Sequence, residues 1–147
     1  MIFKMYVKTV SELLGERVLH VIPPNATVQD ACTIMSDHNI GALPVVDNGR
    51  LVGILSEKDV IHRCISGAKA PQATRVAEVM TRDPETVDPD CSAADAISNM
   101  MAGGFRHLPV CKDGSPVGMV AMRDMPAENR LMAERYRDYP GIQAVYG

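Results

Sequence analysis

Several residue types are scarce in this chain of 147 residues, and each scarcity excludes a class of function. Tryptophan is absent and phenylalanine occurs only twice, which leaves few aromatic rings on which nucleic-acid bases could stack. The formal net charge of −3 provides no basic field, so we expect no nucleic-acid partner. No apolar run approaches the length of about 18 residues that a transmembrane helix needs, so we expect no membrane partner.

Catalytic and metal-binding motifs are also missing. The sequence contains no P-loop, no G-x-G-x-x-G and no nucleophile–base pair, so we predict that the chain is not an enzyme. The cysteines are far apart and never form C-x-x-C, which argues against a zinc site or a disulfide framework: Cys32, Cys64, Cys91 and Cys111. Buried thiols, together with the lack of a signal peptide's apolar core, predict a protein of the reducing cytoplasm with no bound metal.

The chain does contain an internal repeat, at an offset of 65 residues. Residues 22–60 align without a gap on residues 87–125, and eleven positions are identical: Pro24/Pro89, Asp30/Asp95, Ala31/Ala96, Met35/Met100, Leu43/Leu108, Pro44/Pro109, Val45/Val110, Gly49/Gly114, Val52/Val117, Gly53/Gly118 and Asp59/Asp124. One unit has been used twice, so any site should be interpreted as one of a related pair.

Each copy shows the same order of secondary-structure signals. A short apolar stretch ends at a proline, Thr27 or Ser92 is a candidate N-cap, and apolar residues then recur at helical spacing. A β-hairpin follows, with Asn48-Gly49 or Asp113-Gly114 in the turn, and a second helix begins at Ser56 or near Ala121. A short helical turn precedes each copy. The pattern predicts a β-α-β-β-α unit.

Neither copy alone is expected to bury enough surface, which predicts an α+β fold in which two units pack sheet to sheet around a pseudo-twofold axis. We predict a single module over residues 1–147, with repeat one at 9–66, a linker at 67–74 and repeat two at 75–131. A C-terminal helix and tail are expected within 127–147, the helix over Ala127–Arg137.

The hairpin of each copy leads into Gly53-Ile-Leu-Ser56-Glu-Lys-Asp59 or Gly118-Met-Val-Ala121-Met-Arg-Asp124. Ser56 and Asp59 fit a helix-capping box, so their role could be purely structural. The second copy retains the acid but has Ala121 in place of the serine, so a reciprocal box cannot explain Asp124, although an acid in a first turn still favours the helix dipole.

These motifs, with the proline-containing apolar strand before each, resemble the cystathionine-β-synthase (CBS) domain family. The resemblance covers residues 9–131 in two copies, and the stand-alone bacterial pairs look most similar, especially through Phe105-Arg-His-Leu-Pro-Val110. It implies a regulatory module that binds AMP, ADP, ATP, NAD or S-adenosylmethionine in clefts between the repeats. Such a nucleotide would be a regulatory ligand, and no cofactor would be required.

The resemblance also implies roles for individual residues. Asp59 and Asp124 would accept hydrogen bonds from ribose hydroxyls, as an acceptor-only carboxylate can, and Ser56 would meet phosphate. The cleft of Asp59 would be lined by Ile54, Phe105 and residues 81–85, including Thr81 and Arg82. The cleft of Asp124 would be lined by Arg17, Val18, Ile40, Gly41 and Met119, and we expect it to be the weaker site because Ala121 lacks a hydroxyl.

Arg106 and His107 are new in the second copy, where the first has Gly41 and Ala42. They could neutralise a phosphate, or they could form a solvated strand end with Arg106 paired to Asp83 or Glu85. We also expect a homodimer that acts on a separate regulated protein, which the sequence does not identify. The alternative to a nucleotide sensor is a dimerisation scaffold without a ligand.

Overall fold

The computed structural model describes residues 8–125, and the predicted helix at Ala127–Arg137 lies outside them. Repeat one contains helix α1 (Val10–Leu14), helix α2 (Val28–His38), strands β1 (Ala42–Asp47) and β2 (Arg50–Ser56), and helix α3 (Glu57–Asp59), which continues as a π-helical turn (Val60–Ile65). Repeat two contains helix α4 (Val76–Val79), strand β3 (Thr81–Arg82), helix α5 (Ala93–Gly103), strands β4 (His107–Lys112) and β5 (Ser115–Ala121), and a 3₁₀ turn (Met122–Asp124).

The two long helices begin where the N-cap signals predict. The side chains of Thr27 and Ser92 accept hydrogen bonds from the backbone N–H three residues on, at Asp30 and Asp95. Each helix then ends at a residue with left-handed backbone, Asn39 or Gly104, which turns the chain toward the hairpin. The two predicted long helices and both hairpins are therefore confirmed, and the α+β class of two paired repeats is the observed one. The helix predicted near Ala121 is a 3₁₀ turn within the described residues.

The first strand of each unit is shorter than predicted. In repeat one, a single residue, Ile22, pairs with β1: its N–H donates to Pro44 at 3.1 Å and its carbonyl accepts from Val46 at 2.9 Å. Val87 makes the equivalent pair with Pro109 and Cys111 in repeat two. The nearby prolines supply no amide hydrogen, so pairing does not extend further in that direction.

The short leading helices are exchanged between the two repeats. Val10 of α1 lies in the core of repeat two with Ile97, Met100 and Leu108, and its N–H donates to the carbonyl of Cys91 at 2.8 Å. Helix α4 precedes repeat two along the chain, yet its buried Val76 and Val79 belong to the core of repeat one. Each core is therefore completed by a segment from the other half of the sequence.

Two glycines make this exchange possible. A Cβ atom at Gly53 would lie 2.6 Å from Sδ of Met80, and one at Gly118 would lie 2.4 Å from Leu14. Gly53 and Gly118 are equivalent positions of the repeat, and Leu14 and Met80 come from the exchanged leaders. Each hairpin thus has a glycine at the same position of the repeat, and the missing side chain leaves room for the segment that packs there from the other half of the sequence.

The exchange also places strand β3 beside repeat one. Thr81 and Arg82 directly follow α4 and pair antiparallel with Ile54 and Gly53 of β2. The sheet of repeat one therefore has the order β1-β2-β3, while β4 and β5 form a two-stranded sheet. Strand β2 also contacts β4 and β5, so the hairpin ends, and with them both sequence motifs, lie close to the boundary between the repeats.

Candidate functional site

Among the cavities lined by both repeats within the described residues, two lie beside the sequence motifs, one on the side of each motif. The larger, which we call cavity A, has a volume of about 650 Å³. The smaller, cavity B, has a volume of about 260 Å³. Small-molecule sites in proteins commonly measure about 300–1,000 Å³, so cavity A is within that range and cavity B falls just below it. The cavity beside Ser56 and Asp59 is therefore the larger of the two, and it is the cleft that we predicted to be the stronger binding site.

Most of the residues predicted for the first cleft line cavity A. Three of them, Ser56, Thr81 and Phe105, come together there with Gly41. Arg106 and His107, which were predicted to contact phosphate without being assigned to a cleft, line the same cavity. Ile54, Asp83, Pro84 and Glu85 line the same cavity, as the resemblance implied. The strand pairing of β3 with β2 explains this, because it fixes the chain after Thr81 against the end of the first hairpin.

The residues predicted for the second cleft line cavity B. They are Arg17, Val18, Ile40, Gly41, Met119 and Asp124. The carboxylate of Asp124 accepts a hydrogen bond from the backbone N–H of Ala121 at 2.9 Å and pairs with the guanidinium of Arg17 at 3.1 Å. Asp124 therefore lines cavity B, and its negative charge is already balanced by Arg17.

Asp59 itself lines neither cavity. Its carboxylate is buried and accepts hydrogen bonds from Ser56 N at 3.0 Å, from Ser56 Oγ at 3.1 Å and from Thr81 Oγ1 at 3.2 Å. Arg63 Nε lies 3.8 Å from the same carboxylate. The capping box that the sequence allowed is thus present, and Asp59 lies behind the two hydroxyl groups that face cavity A.

Arg82 is the second predicted site residue that lines neither cavity. Its guanidinium donates to the carbonyl of Ala77 at 3.2 Å, and the residue is exposed. Arg17 is the equivalent residue of the first repeat and does line its cavity. The two copies therefore differ here, although their sequences have the same residue type.

Arg123 has no role in the sequence-based prediction, but it lines both cavities. Its guanidinium donates to the carbonyl of Asn39 at 2.9 Å, across the boundary between the repeats. A signal for it was present: the position before the motif aspartate is basic in both copies, as Lys58 and as Arg123. Lys58 lines cavity A as well.

His107 also lines both cavities. Burial lowers the pKa of this imidazole, the nearby guanidinium groups of Arg123 and Arg106 lower it further, and the carboxylate of Asp124 acts in the opposite direction. The side chain is therefore neutral at pH 7. A phosphate placed beside it would favour its protonated form, because an opposite charge stabilises an imidazolium ion.

The charges around the two cavities differ. Glu57, Asp83 and Glu85 line cavity A together with its cationic residues. Among the described residues that line cavity B, Asp124 is the only acid, and Arg17 and Arg123 are basic. Both acidic and basic residues thus line cavity A, whereas cavity B has a net positive lining that one ion pair partly neutralises.

The cysteines and acids provide no evidence of a metal centre. All four cysteines are free; Cys64 is buried, and the other three are half-buried, less enclosed than predicted. Desolvation by burial is the main cause that raises the pKa of Cys32, Cys91 and Cys111, which keeps them as unreactive thiols. Within residues 8–125, no group of three or more potential ligands is placed to hold a metal ion.

Between residues 8 and 125, no helix has both the length and the apolar character that crossing a bilayer requires.

Two facing repeats with a cavity on each side of their boundary define a paired-repeat module, and one of its two cavities has the size of a small-molecule site. The CBS domain family model matches this chain twice, at residues 10–66 and 76–125. The chain therefore belongs to the CBS domain family, as a tandem pair.

Known proteins agree with this assignment. The CBS domain-containing protein YhcV of Bacillus subtilis is 36% identical over 113 residues, which cover 77% of this chain and 79% of that protein. A putative signal-transduction protein with CBS domains from Burkholderia ambifaria is 29% identical, with a TM-score of 0.75 over 89% of this chain and 96% of that one. A CBS domain protein of Pyrobaculum aerophilum complexed with AMP has the same fold, with 24% identity and a TM-score of 0.76 over 87% of this chain and 99% of that one.

Proposed function

We propose that this protein is a regulatory module that binds an adenosine nucleotide in cavity A and is not an enzyme. The observation that carries the proposal is the composition of that cavity. Ile54, Pro84 and Phe105 provide an apolar wall for a base, two hydroxyl groups are fixed by hydrogen bonds, and Arg106 and Arg123 provide positive charge. A nucleotide needs these three kinds of contact along its length.

The ribose would bind where Ser56 and Thr81 face the cavity. Asp59 holds both hydroxyl groups, so they are oriented before a ligand arrives. A ribose hydroxyl can take the place of Thr81 Oγ1 on the Asp59 carboxylate, which exchanges one hydrogen bond to a charged group for another. Asp59 therefore acts both as a helix cap and as the acceptor that the motif implies.

The phosphates would lie toward Arg106, His107 and Arg123. Guanidinium groups bind phosphate through paired N–H donors, and desolvation inside the cavity strengthens each bond. The Pyrobaculum aerophilum CBS domain protein, which has the same fold, is complexed with AMP, and this supports the proposal of an adenosine nucleotide here. AMP, ADP, ATP and NAD all carry the required adenosine and phosphate groups.

Thermal melting with each nucleotide tests this function. A ligand present at about a hundred times its dissociation constant adds about 2.7 kcal/mol of stability, which a melting curve resolves readily. Arg106→Gln should weaken nucleotide binding. Arg82→Gln is the matched control, because it changes the same residue type outside both cavities. Equal loss of binding in the two variants would contradict the site.

A dimerisation scaffold is the competing function. Ile61 and Ile65 are each 55% exposed and lie one turn apart on the π-helical turn. In a homodimer, this pair of side chains can pack against the same pair of the second subunit. We propose this dimer in addition to ligand binding, and the free thiols are compatible with the predicted cytoplasmic location. If AMP, ADP, ATP, NAD and S-adenosylmethionine all leave the melt unchanged at millimolar concentration while light scattering gives a dimer, the scaffold is the better description.

A further inference from the structure

Cavities A and B have a common wall. Four residues line both of them: Gly41, His107, Ala121 and Arg123. Ala121 and Gly41 are small, so the polar part of this wall consists of one imidazole and one guanidinium group. We refer to His107 and Arg123 as the shared wall.

The position of the shared wall is fixed from both repeats. A Cβ atom at Gly41 would lie 3.0 Å from Nε2 of His107 and 2.9 Å from Oε1 of Glu57, so the imidazole lies directly against the backbone of repeat one. The bond from Arg123 to the carbonyl of Asn39 fixes the guanidinium in the same way. A guanidinium has five N–H donors, so the bond to Asn39 leaves donors for an anion.

We propose that His107 and Arg123 form a single anion site that the two cavities compete for, so that a nucleotide in one cavity weakens binding in the other. This inference rests on the proposed function. Two phosphates bound on opposite sides of the shared wall would be separated by about one side chain. That separation is below the screening length of about 8 Å at physiological salt, so their repulsion is not removed by ions.

The shared wall is the main source of positive charge for an anion in cavity B, because Arg17, the other arginine of its lining, is paired with Asp124 at 3.1 Å. Both acidic and basic residues line cavity A, so size and not charge sets the order of filling. Cavity A measures about 650 Å³ and cavity B about 260 Å³. A first nucleotide should therefore occupy cavity A, and a second should find the shared wall already neutralised.

Two variants that each fill one cavity test the proposal, with AMP as the probe and calorimetry as the measurement. His62→Trp adds an indole at the edge of cavity A, and Val117→Trp adds one to cavity B. Both positions are exposed and neither is in the proposed dimer contact, so the fold should tolerate the changes. Each variant gives the affinity of the cavity that stays open.

If the two cavities compete, the second AMP should bind the unmodified protein at least about fivefold more weakly than AMP binds the same cavity when the other cavity is blocked. A fivefold effect is within the usual range of coupling between sites. Arg123→Gln should reduce that discrepancy. A binding curve equal to the sum of the two single-cavity curves, or a tighter second step, overturns the proposal. The amide signals of Thr81 and Val18 report the two cavities in the unmodified protein, should a tryptophan variant fail to fold.

The outcomes separate this inference from the proposed function. If AMP binds with the same affinity whether or not the second cavity is filled, the nucleotide module stands and the shared anion site is wrong. If only one of the two variants binds AMP, only one cavity is a nucleotide site, and the proposed competition between the cavities is wrong. If no protein binds AMP or any other adenosine nucleotide, the proposed function fails and the shared site fails with it.

Discussion

Replacing Asp59 by alanine should destabilise the fold far more than replacing its repeat equivalent, Asp124. The two acids occupy the same motif position, but their surroundings differ. Asp59 is 8% exposed and accepts three hydrogen bonds from two residues. Asp124 accepts one backbone hydrogen bond and pairs with Arg17, whose side chain is 51% exposed.

The magnitudes follow from those contacts. Alanine keeps the backbone N–H that donates to Ser56 Oγ, so the N-cap bond itself remains. The cost comes from the Ser56 amide and the Ser56 and Thr81 hydroxyl groups, which lose their charged acceptor at about 1 kcal/mol for each bond. The total of about 3 kcal/mol corresponds to a fall of about 10 °C in melting temperature for a chain of 147 residues. For Asp124→Ala we expect about 1 kcal/mol, because an exposed ion pair contributes little.

Asp30→Ala is the control for the capping box alone. Asp30 forms the same reciprocal box with Thr27, but the site is exposed and has no counterpart of Thr81. Asp30→Ala removes only the bond from the Thr27 amide and should cost about 1 kcal/mol. Melting curves followed by circular dichroism measure all three variants. If Asp59→Ala melts no lower than Asp30→Ala, the buried network around Asp59 does not contribute as the structure indicates.

Three further predictions concern other parts of the molecule. The folded state lowers the pKa of His107, so the stability that the neutral imidazole contributes is present above about pH 6.5, the unfolded value, and is lost as the pH falls below it. Urea unfolding between pH 7.5 and 5 should show this loss of stability in the wild type. Parallel pH profiles for the wild type and His107→Gln would contradict the prediction. Gly53→Ala should cost about 1–3 kcal/mol, because its Cβ would lie 2.6 Å from Met80 Sδ in a packed interior, and an unchanged urea midpoint would be evidence against that packing. Leu43→Ala and Leu108→Ala should each cost about 2–5 kcal/mol, since both side chains are fully buried, and each variant should still unfold in one step; a second transition would show that the repeats unfold separately.

The long helices and the hairpins could be predicted from the sequence because they depend on local signals, whereas the residues of the two clefts were implied by the resemblance to the CBS family. Caps such as Thr27 and turns such as Asn48-Gly49 act within a few residues. Because the two copies align at a constant offset, each element predicted in one repeat could also be placed in the other.

The exchange of leading helices could not be predicted in this way. Apolar residues at helical spacing in α1 and α4 show that each helix has a buried face, but not which core buries it. The orientation of Asp59 was also undetermined, because the same Ser56-x-x-Asp59 spacing fits a helix cap and a ligand contact equally well. Arg123 was missed because its role depends on a contact with Asn39, which is distant in the sequence.

The exchanged position of α1 has a consequence for synthesis of the chain on the ribosome. Val10 leaves the exit tunnel early, but its binding partners in the second core extend to Met125. At about 5–20 residues per second, this segment waits roughly 5 to 20 s before its place exists. Helix α4 has no such delay, because the partners of Val76 precede it in the chain. The first half of the protein can therefore finish its core during translation, while the beginning of the chain is among the last parts to settle.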